Sequence, residues 1–315
     1  MASNYEEIDL SRVRTISVRE RSSKITVKEF GEPVKGGKAL ARWRASLPDQ
    51  LGARSLKELA SSIRHAAGGK DHEIVWMMGA HVIKCGLSRY IIELMRKGYV
   101  TSLALNGAGA IHDFEIASFG ETSEDVRAGL ERGVFGFTAE TAEGCFAAVS
   151  VGRSQGLGLG ESLGRWLLEK RAPHREWSIL SEAYRFGVPV TVHVAIGTDT
   201  LHQHPGFDGA CWGELTSRDF RIFAKRVDSL GRAGGVALNI GSAVILPEVF
   251  LKAFSVARNL GAPFGRLTVC NIDMIQHYRP RENVLDRPAS FGGKALAITG
   301  PHEVLIPLLY SFLLS

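Results

Sequence analysis

The stretch from His72 to Asp113 constrains the fold more than any other. It opens on the short apolar run Ile74 to Met78, which has no polar alternation and closes at Gly79, the pattern of a strand buried on both faces. Leu87, Ile91, Leu94 and Met95 then recur at three- and four-residue spacings, Arg96 and Lys97 fall where a helix dipole favours cations, and Gly98 is placed to cap. This predicts a helix from about Val82 to Lys97. A second strand, Val100 to Leu105, runs into Asn106-Gly-Ala-Gly-Ala. Two strands joined through a helix belong to a parallel sheet.

Open parallel sheets bind ligands beyond the carboxyl ends of their strands. Gly79-Ala80-His81 and Asn106 to Asp113 both lie at such ends. Small residues at Gly107, Ala108 and Gly109 would let the backbone approach a phosphate or ribose and donate N–H groups to it. The dinucleotide fingerprint G-x-G-x-x-G is absent, so a tight packing turn is the competing reading.

The chain has 315 residues, enough for one large α/β domain, and its balance of 45% hydrophobic and 23% charged residues is that of a soluble globular protein. No apolar run is long enough to cross a bilayer, and residues 1–49 lack the order of a signal peptide, so a cytoplasmic protein is expected. Cys85, Cys145, Cys211 and Cys270 are scattered and form no C-x-x-C pair, as for reduced thiols in a cytosolic enzyme. The net charge of +5 comes partly from Arg12, Arg14, Arg19, Arg21, Lys24 and Lys28; without interleaved aromatics or a basic helix, a solvated arm is expected there and not a nucleic-acid surface.

Two units follow: residues 1–35, an arm with one edge strand near Lys24 to Phe30, laid on the core or on a neighbouring subunit, and residues 36–315, a single domain. Leu56 to Ala67 is an amphipathic helix. Thr122-Ser-Glu-Asp resembles a capping box that opens a helix ending near Gly133, and Thr138 to Val151 reads as another. The glycine-rich run Gly156 to Gly164 enters a helix reaching Lys170; with no strand before it, it reads as a flexible connector in preference to a phosphate cradle. Beyond it come a helix from Ser178 to Phe186, the strand Val188 to Val194, a long polar loop from Ala195 to Leu215, and a helix from Ser217 to Leu230. Further strands at Gly235 to Asn239, Leu267 to Asn271 and Lys294 to Thr299 bring the apolar strands to six. The fold class is α/β, a doubly wound, mostly parallel, Rossmann-like sheet.

Four blocks in this order resemble the deoxyhypusine synthase family. Gly107-Ala-Gly-Ala-Ile-His-Asp113 is similar to its glycine turn; Ser178-Ile-Leu-Ser-Glu-Ala-Tyr with Gly187-Val-Pro-Val to its S-[IV]-x-x-W-A helix and I-P-V strand; Gly234 to Gly241 to its T-G-x-I-I-L-G-G-G; and Arg287 to Lys294, with His302 to Leu309, to its R-P-D-E-A-V-S-W-G-K and the helix after it. The resemblance implies a fold that binds NAD, a homotetramer with sites shared between subunits, and transfer of an aminobutyl-type group through an imine on a lysine to an amine, either a small molecule or a protein lysine. The family's lysine falls on Lys294, with Asp199 and His202 as further catalytic groups. Asn106, Gly107, Ala108, Gly109, Asp113, Gly241 and Ser242 would face the NAD, and His193, His204 and Phe291 the substrate. Where the family carries acidic D-G-S-D-S-G, this chain has Gln276-His-Tyr-Arg-Pro-Arg-Glu-Asn, and arginines repel a polyamine, so the expected substrate is not spermidine itself.

The histidine loop supports a second reading. His193, His202 and His204 could ligate a divalent metal in a hydrolase or lyase, with His112 and Asp113 close by in the chain order of strand ends. A third is a nucleotide-binding homologue without catalysis.

Overall fold

The computed structural model describes residues 7–69 and 71–314. Its strands are β1 Ser23–Thr26, β2 Glu73–Met78, β3 Ser102–Asn106, β4 Glu121–Glu124, β5 Val190–His193, β6 Gly235–Ile240, β7 Leu267–Asp273 and β8 Lys294–Thr299. Six of them form one parallel sheet in the order β5-β3-β2-β6-β7-β8. The chain runs outward from β2 to β5, returns beside β2, and runs outward again to β8. The doubly wound α/β architecture is therefore present, and its direction reverses between β2 and β6. Met78 is in register with both Leu105 and Ile240, so the carboxyl ends of the three central strands are level.

Side chains alternate across β2, with Trp76 and Met78 entering one apolar core and Val75 and Met77 the other. Both faces are dry, which is why the run carries no polar alternation. The helices Gly209–Ala233 and Ile245–Asn259 cover the second core through Phe223, Val227, Phe250 and Phe254. The helices Leu51–Ala67, Ser88–Arg96 and His302–Leu313 cover part of the first. Fully burying each such side chain contributes roughly 1.5–3 kcal/mol.

Four local expectations are corrected. The helix after β2 is broken into His81–Lys84 and Ser88–Arg96, because Gly86 has φ 71° and its carbonyl accepts from the Gly31 amide of the arm at 3.0 Å. Thr122-Ser-Glu-Asp does not open a helix: Glu121–Glu124 is β4, paired antiparallel with β1, and the next helix, Val126–Glu131, starts from Asp125, whose carboxylate accepts from the Ala128 amide at 3.0 Å. The glycine run is no flexible connector, since helix Leu159–Glu169 lies against β5, and a side chain on Gly160 or Gly164 would collide with the carbonyl of Val190 or Leu180. The helix expected from Ser217 begins at Gly209, because Cys211, Trp212 and Leu215 continue its buried stripe.

The described part of the arm packs on the core of its own chain. Ile16 bridges to Thr138, and Arg21 reaches inward to Glu115 at 2.5 Å, both side chains almost wholly buried. No helix among the described residues is long and apolar enough to cross a membrane.

Candidate functional site

At the reversal, the ends of β2 and β6 meet through backbone alone. A side chain on Gly79 would collide with the Gly241 carbonyl, and one on Gly241 would come within 2.7 Å of the His302 ring. Gly241 itself needs φ 64°, a conformation glycine adopts without steric cost. Around this floor stand polar groups from four strand ends: His81 after β2, Ser242 after β6, Asp273 closing β7 and His302 after β8. His302 is wholly buried; its Nε2 lies 3.2 Å from the Ile272 carbonyl, while Nδ1 has no hydrogen-bond partner. Beneath them, the buried Asn239 side-chain amide donates to Asn271 at 2.7 Å and to the Ser242 carbonyl at 2.9 Å.

One helical turn beyond His81, Cys85 places its Sγ 3.2 Å from His81 Nε2 and 3.7 Å from Glu303. Burial, and then the Glu303 carboxylate, push this thiol up to about 11, so it is protonated at neutral pH. Burial and the neighbouring His302 and Lys84 push His81 down.

Lys84, which closes the short helix that His81 opens, faces a separate cleft. It lines a cleft of about 240 Å³ together with His112, Glu124, Asp199 and Thr200. Asp199 sits over the amino end of helix Gly107–Phe119 and accepts from the Ala108 amide, yet burial raises it to about 6. Glu124 is raised by burial as well, and accepts from the Gly136 amide at 2.9 Å. His112 Nδ1 lies 2.7 Å from Thr122 Oγ1, whose proton goes to Glu115 at 2.5 Å. That assigns the hydrogen to His112 Nδ1 and leaves Nε2 as its basic atom. Burial depresses His112 to about 4, so the ring is neutral at pH 7.

Several expected site residues serve the fold instead. Asn106 caps its helix by accepting from the Gly109 amide at 2.9 Å, and the space over Gly107 is filled by the Asp199 carboxylate, so this turn has no room for a phosphate. Asp113 is fully buried and accepts from Ser178 Oγ at 2.5 Å and from the amides of Ile179 and Leu180 at 2.8 and 3.0 Å. It caps the helix Ile179–Phe186. Gly241 and Ser242 do stand at the crevice, where the Ser242 hydroxyl also accepts from the Leu246 amide at 3.2 Å.

The three loop histidines do not converge. His193 is buried against Phe223, held by Thr191 at 3.0 Å and depressed by burial to about 3. His202 Nδ1 accepts from the Gly197 and Asp199 amides and shapes the loop, while His204 lies between Phe137 and Phe146 with Nε2 2.9 Å from the Gly136 carbonyl. Among the described residues, the metal-ligating group that does come together is His81, Cys85 and Glu303.

Lys294 opens β8, so it lies at the amino edge of the sheet, roughly 16 Å of strand from the carboxyl edge. It is half-exposed and paired with Glu58 at 2.6 Å. Phe291, beside it, stacks with Phe254 and under Arg258. Within this chain neither reaches the crevice. His81, in the turn noted at the end of the first strand, and the groups the sequence did not single out, Lys84, Cys85, Asp273, His302 and Glu303, all follow or close strands at the opposite edge.

No protein-family model and no curated protein matches the sequence. Solved structures do share the fold. A conserved protein of the LOR/SDH type from Methanococcus maripaludis S2 superposes with TM-score 0.53 at 14% identity, over 84% of this chain and 70% of that one. Unliganded AgrE gives TM-score 0.53 at 16% identity over 85% of this chain; this chain spans only 34% of AgrE's length. AgrE has also been solved in ternary complex with ornithine and NAD+, with TM-score 0.50 and 15% identity. A protein described as a deoxyhypusine synthase, from Entamoeba histolytica, superposes more loosely, with TM-score 0.48 at 10% identity. At these identities the likeness is one of fold.

Proposed function

We propose that this chain is an NAD-dependent enzyme of amine substrates that passes an aminoalkyl group through an imine on a lysine, and that the lysine is Lys84. The observation that carries the reading is the position of Lys84. It closes the short helix that His81 opens, so that its charge bears on His81, and lines the cleft, where its charge bears on His112.

The crevice suits a dinucleotide in three respects. It lies at the reversal of strand order, its floor at Gly79, Gly241 and Ser242 is backbone, and its rim carries the exposed apolar side chains of Val244 and Met274, suited to cover a base or nicotinamide ring. When bound there, NAD would accept a hydride from the carbon bearing the substrate amine and return it later. That AgrE, one third of which shares this fold, has been solved with ornithine, an amine, and NAD+ is in keeping with the reading.

In the cleft, Asp199 and Glu124 are half-buried carboxylates; Arg21 and Lys84 line the same cleft, and Arg21's charge bears on Glu124, but neither carboxylate is in a salt bridge among the described residues. A substrate ammonium would supply the paired cation. Lys84, as the neutral amine, adds to the oxidised carbon and the donor's amine leaves; an acceptor amine then adds and Lys84 leaves, so the redox balance closes once the hydride returns. His112 Nε2 takes up and returns the proton at each addition. Cation-accepting carboxylates and a cleft of about 240 Å³ favour a short diamine or basic amino acid as donor.

The test is to incubate the protein with NAD and a series of diamines and basic amino acids, reduce with cyanoborohydride, and map the adduct. An adduct on the Lys84 peptide that persists in Lys294→Ala and vanishes in Lys84→Arg supports the reading. No adduct with any donor, or one confined to Lys294, overturns it.

A further inference from the structure

We propose that His81, Cys85 and Glu303 form a binding site for a zinc-type divalent cation at the edge of the β2/β6 crevice, with His302 supporting it from beneath. His81 and Cys85 are four residues apart, one on the helix His81–Lys84 and the other its cap, so their side chains fall on one face. Glu303 reaches them from the first turn of the helix His302–Leu313.

The three donor atoms lie within 4.8 Å of one another, with Sγ to Nε2 at 3.2 Å and Sγ to the Glu303 carboxylate at 3.7 Å. Tetrahedral zinc with its usual bonds to sulfur, nitrogen and oxygen holds such ligands about 3.3–3.6 Å apart. The observed separations bracket that range, so side-chain rotations would suffice and the backbone need not move. One imidazole, one carboxylate and the thiolate formed when the cation displaces the Cys85 proton to solvent make a borderline-soft set, which favours zinc over magnesium or calcium.

A second, independent observation points the same way. His302 is wholly buried, and its Nδ1 lacks any hydrogen-bond partner. Its Nε2 sits against the Ile272 carbonyl, an arrangement that fixes the hydrogen on Nε2 and leaves a lone pair on Nδ1. The rings of His81 and His302 meet edge to face with centroids 5.4 Å apart. An unpartnered buried nitrogen on the ring packed against His81 is costly unless something fills the space before it.

His81 and Cys85 are half-buried and Glu303 is exposed, so a bound cation would keep a coordination position open to solvent, as catalytic and not structural zinc does. The site is distinct from the His193, His202 and His204 set, which does not converge. It stands whether or not the amine-transfer reading does.

The experiment is titration of metal-stripped protein with Co2+, followed by displacement with Zn2+. One equivalent of Co2+ should bind with a thiolate-to-cobalt charge-transfer band in the near ultraviolet, and Zn2+ should abolish the band and protect Cys85 from alkylation. Cys85→Ser should remove the band with the melting temperature unchanged, His302→Ala should weaken Zn2+ binding about 10–100-fold, and His81→Ala and Glu303→Ala, which remove ligands outright, should each weaken it more. Lys294→Ala serves as a control and should leave all three readouts unchanged. Absence of a charge-transfer band, a band that survives Cys85→Ser, or Cys85 alkylation indifferent to Zn2+ would overturn the assignment.

Discussion

The Asp199 carboxylate occupies the place a side chain on Gly107 would need. Gly107 opens a helix, where alanine ordinarily stabilises by up to about 1 kcal/mol relative to glycine. Here Gly107→Ala would push Asp199 off the helix terminus and out of the cleft. The expected outcome is a lower melting temperature and at least tenfold weaker amine binding. In a double-mutant cycle with Asp199→Ala, the two stability losses should overlap by about 0.5–3 kcal/mol. A stabilised Gly107→Ala protein that binds amines normally would contradict this placement.

The arm is tied to the core by a charge. Arg21 and Glu115 are both nearly inaccessible, and Glu115 also accepts from Thr122 and Thr141. Removing one member of such a pair strands the other, at a cost of about 3–5 kcal/mol. Arg21→Ala should therefore lower the unfolding free energy extrapolated from urea titration by that amount, whereas Arg12→Ala, in the exposed part of the arm, should change it little. Equal effects from the two substitutions would show that the arm contributes through bulk charge alone.

Asp219 links stability to pH. It accepts from the Gly160 and Val192 amides at 2.9 and 2.7 Å, joining the glycine-rich helix to β5, and burial pushes its carboxyl up to about 7. Its pKa is thus higher folded than unfolded, so the native state binds more protons between about pH 4 and 7, and stability falls as pH rises through that window. Asp113 and Asp199, each raised to about 6, act in the same direction. Asp219→Asn keeps an oxygen for both amides and should flatten the unfolding free energy between about pH 5 and 8, measured by urea titration. Parallel profiles for the two proteins would rule out Asp219 as a source of the slope.

Five of the six core strands were legible because a strand buried on both faces leaves an unbroken apolar run, as in Ile74 to Met78; β8, buried only at Leu296 and Ile298, was read from its short apolar run alone. The site was less legible, for physical reasons that differ from residue to residue. Lys84 and Cys85 were hidden within one expected helix, since nothing local announces that Gly86 takes a left-handed turn to meet Gly31 of the arm. β4 went unread because its partner, β1, lies about a hundred residues away in the chain. Asp113 was read as a cofactor ligand from its place after the glycine turn, but its carboxylate serves amides 66 and 67 residues further on. Polar residues late in apolar strands, Asn239, Asn271 and Asp273, were the available signal for the crevice. They mark the edge of the sheet at which Lys84 lies and Lys294 does not.

The central claim is a dinucleotide seated between the carboxyl ends of β2 and β6, and calorimetric titration with NAD tests it most directly. The account predicts saturable one-to-one binding with a Kd near micromolar, on the order of −8 kcal/mol, weakened at least tenfold by Met274→Glu on the exposed rim and unchanged by Lys294→Ala. Absence of saturable heat, or binding that Met274→Glu leaves intact and Lys294→Ala abolishes, would contradict it.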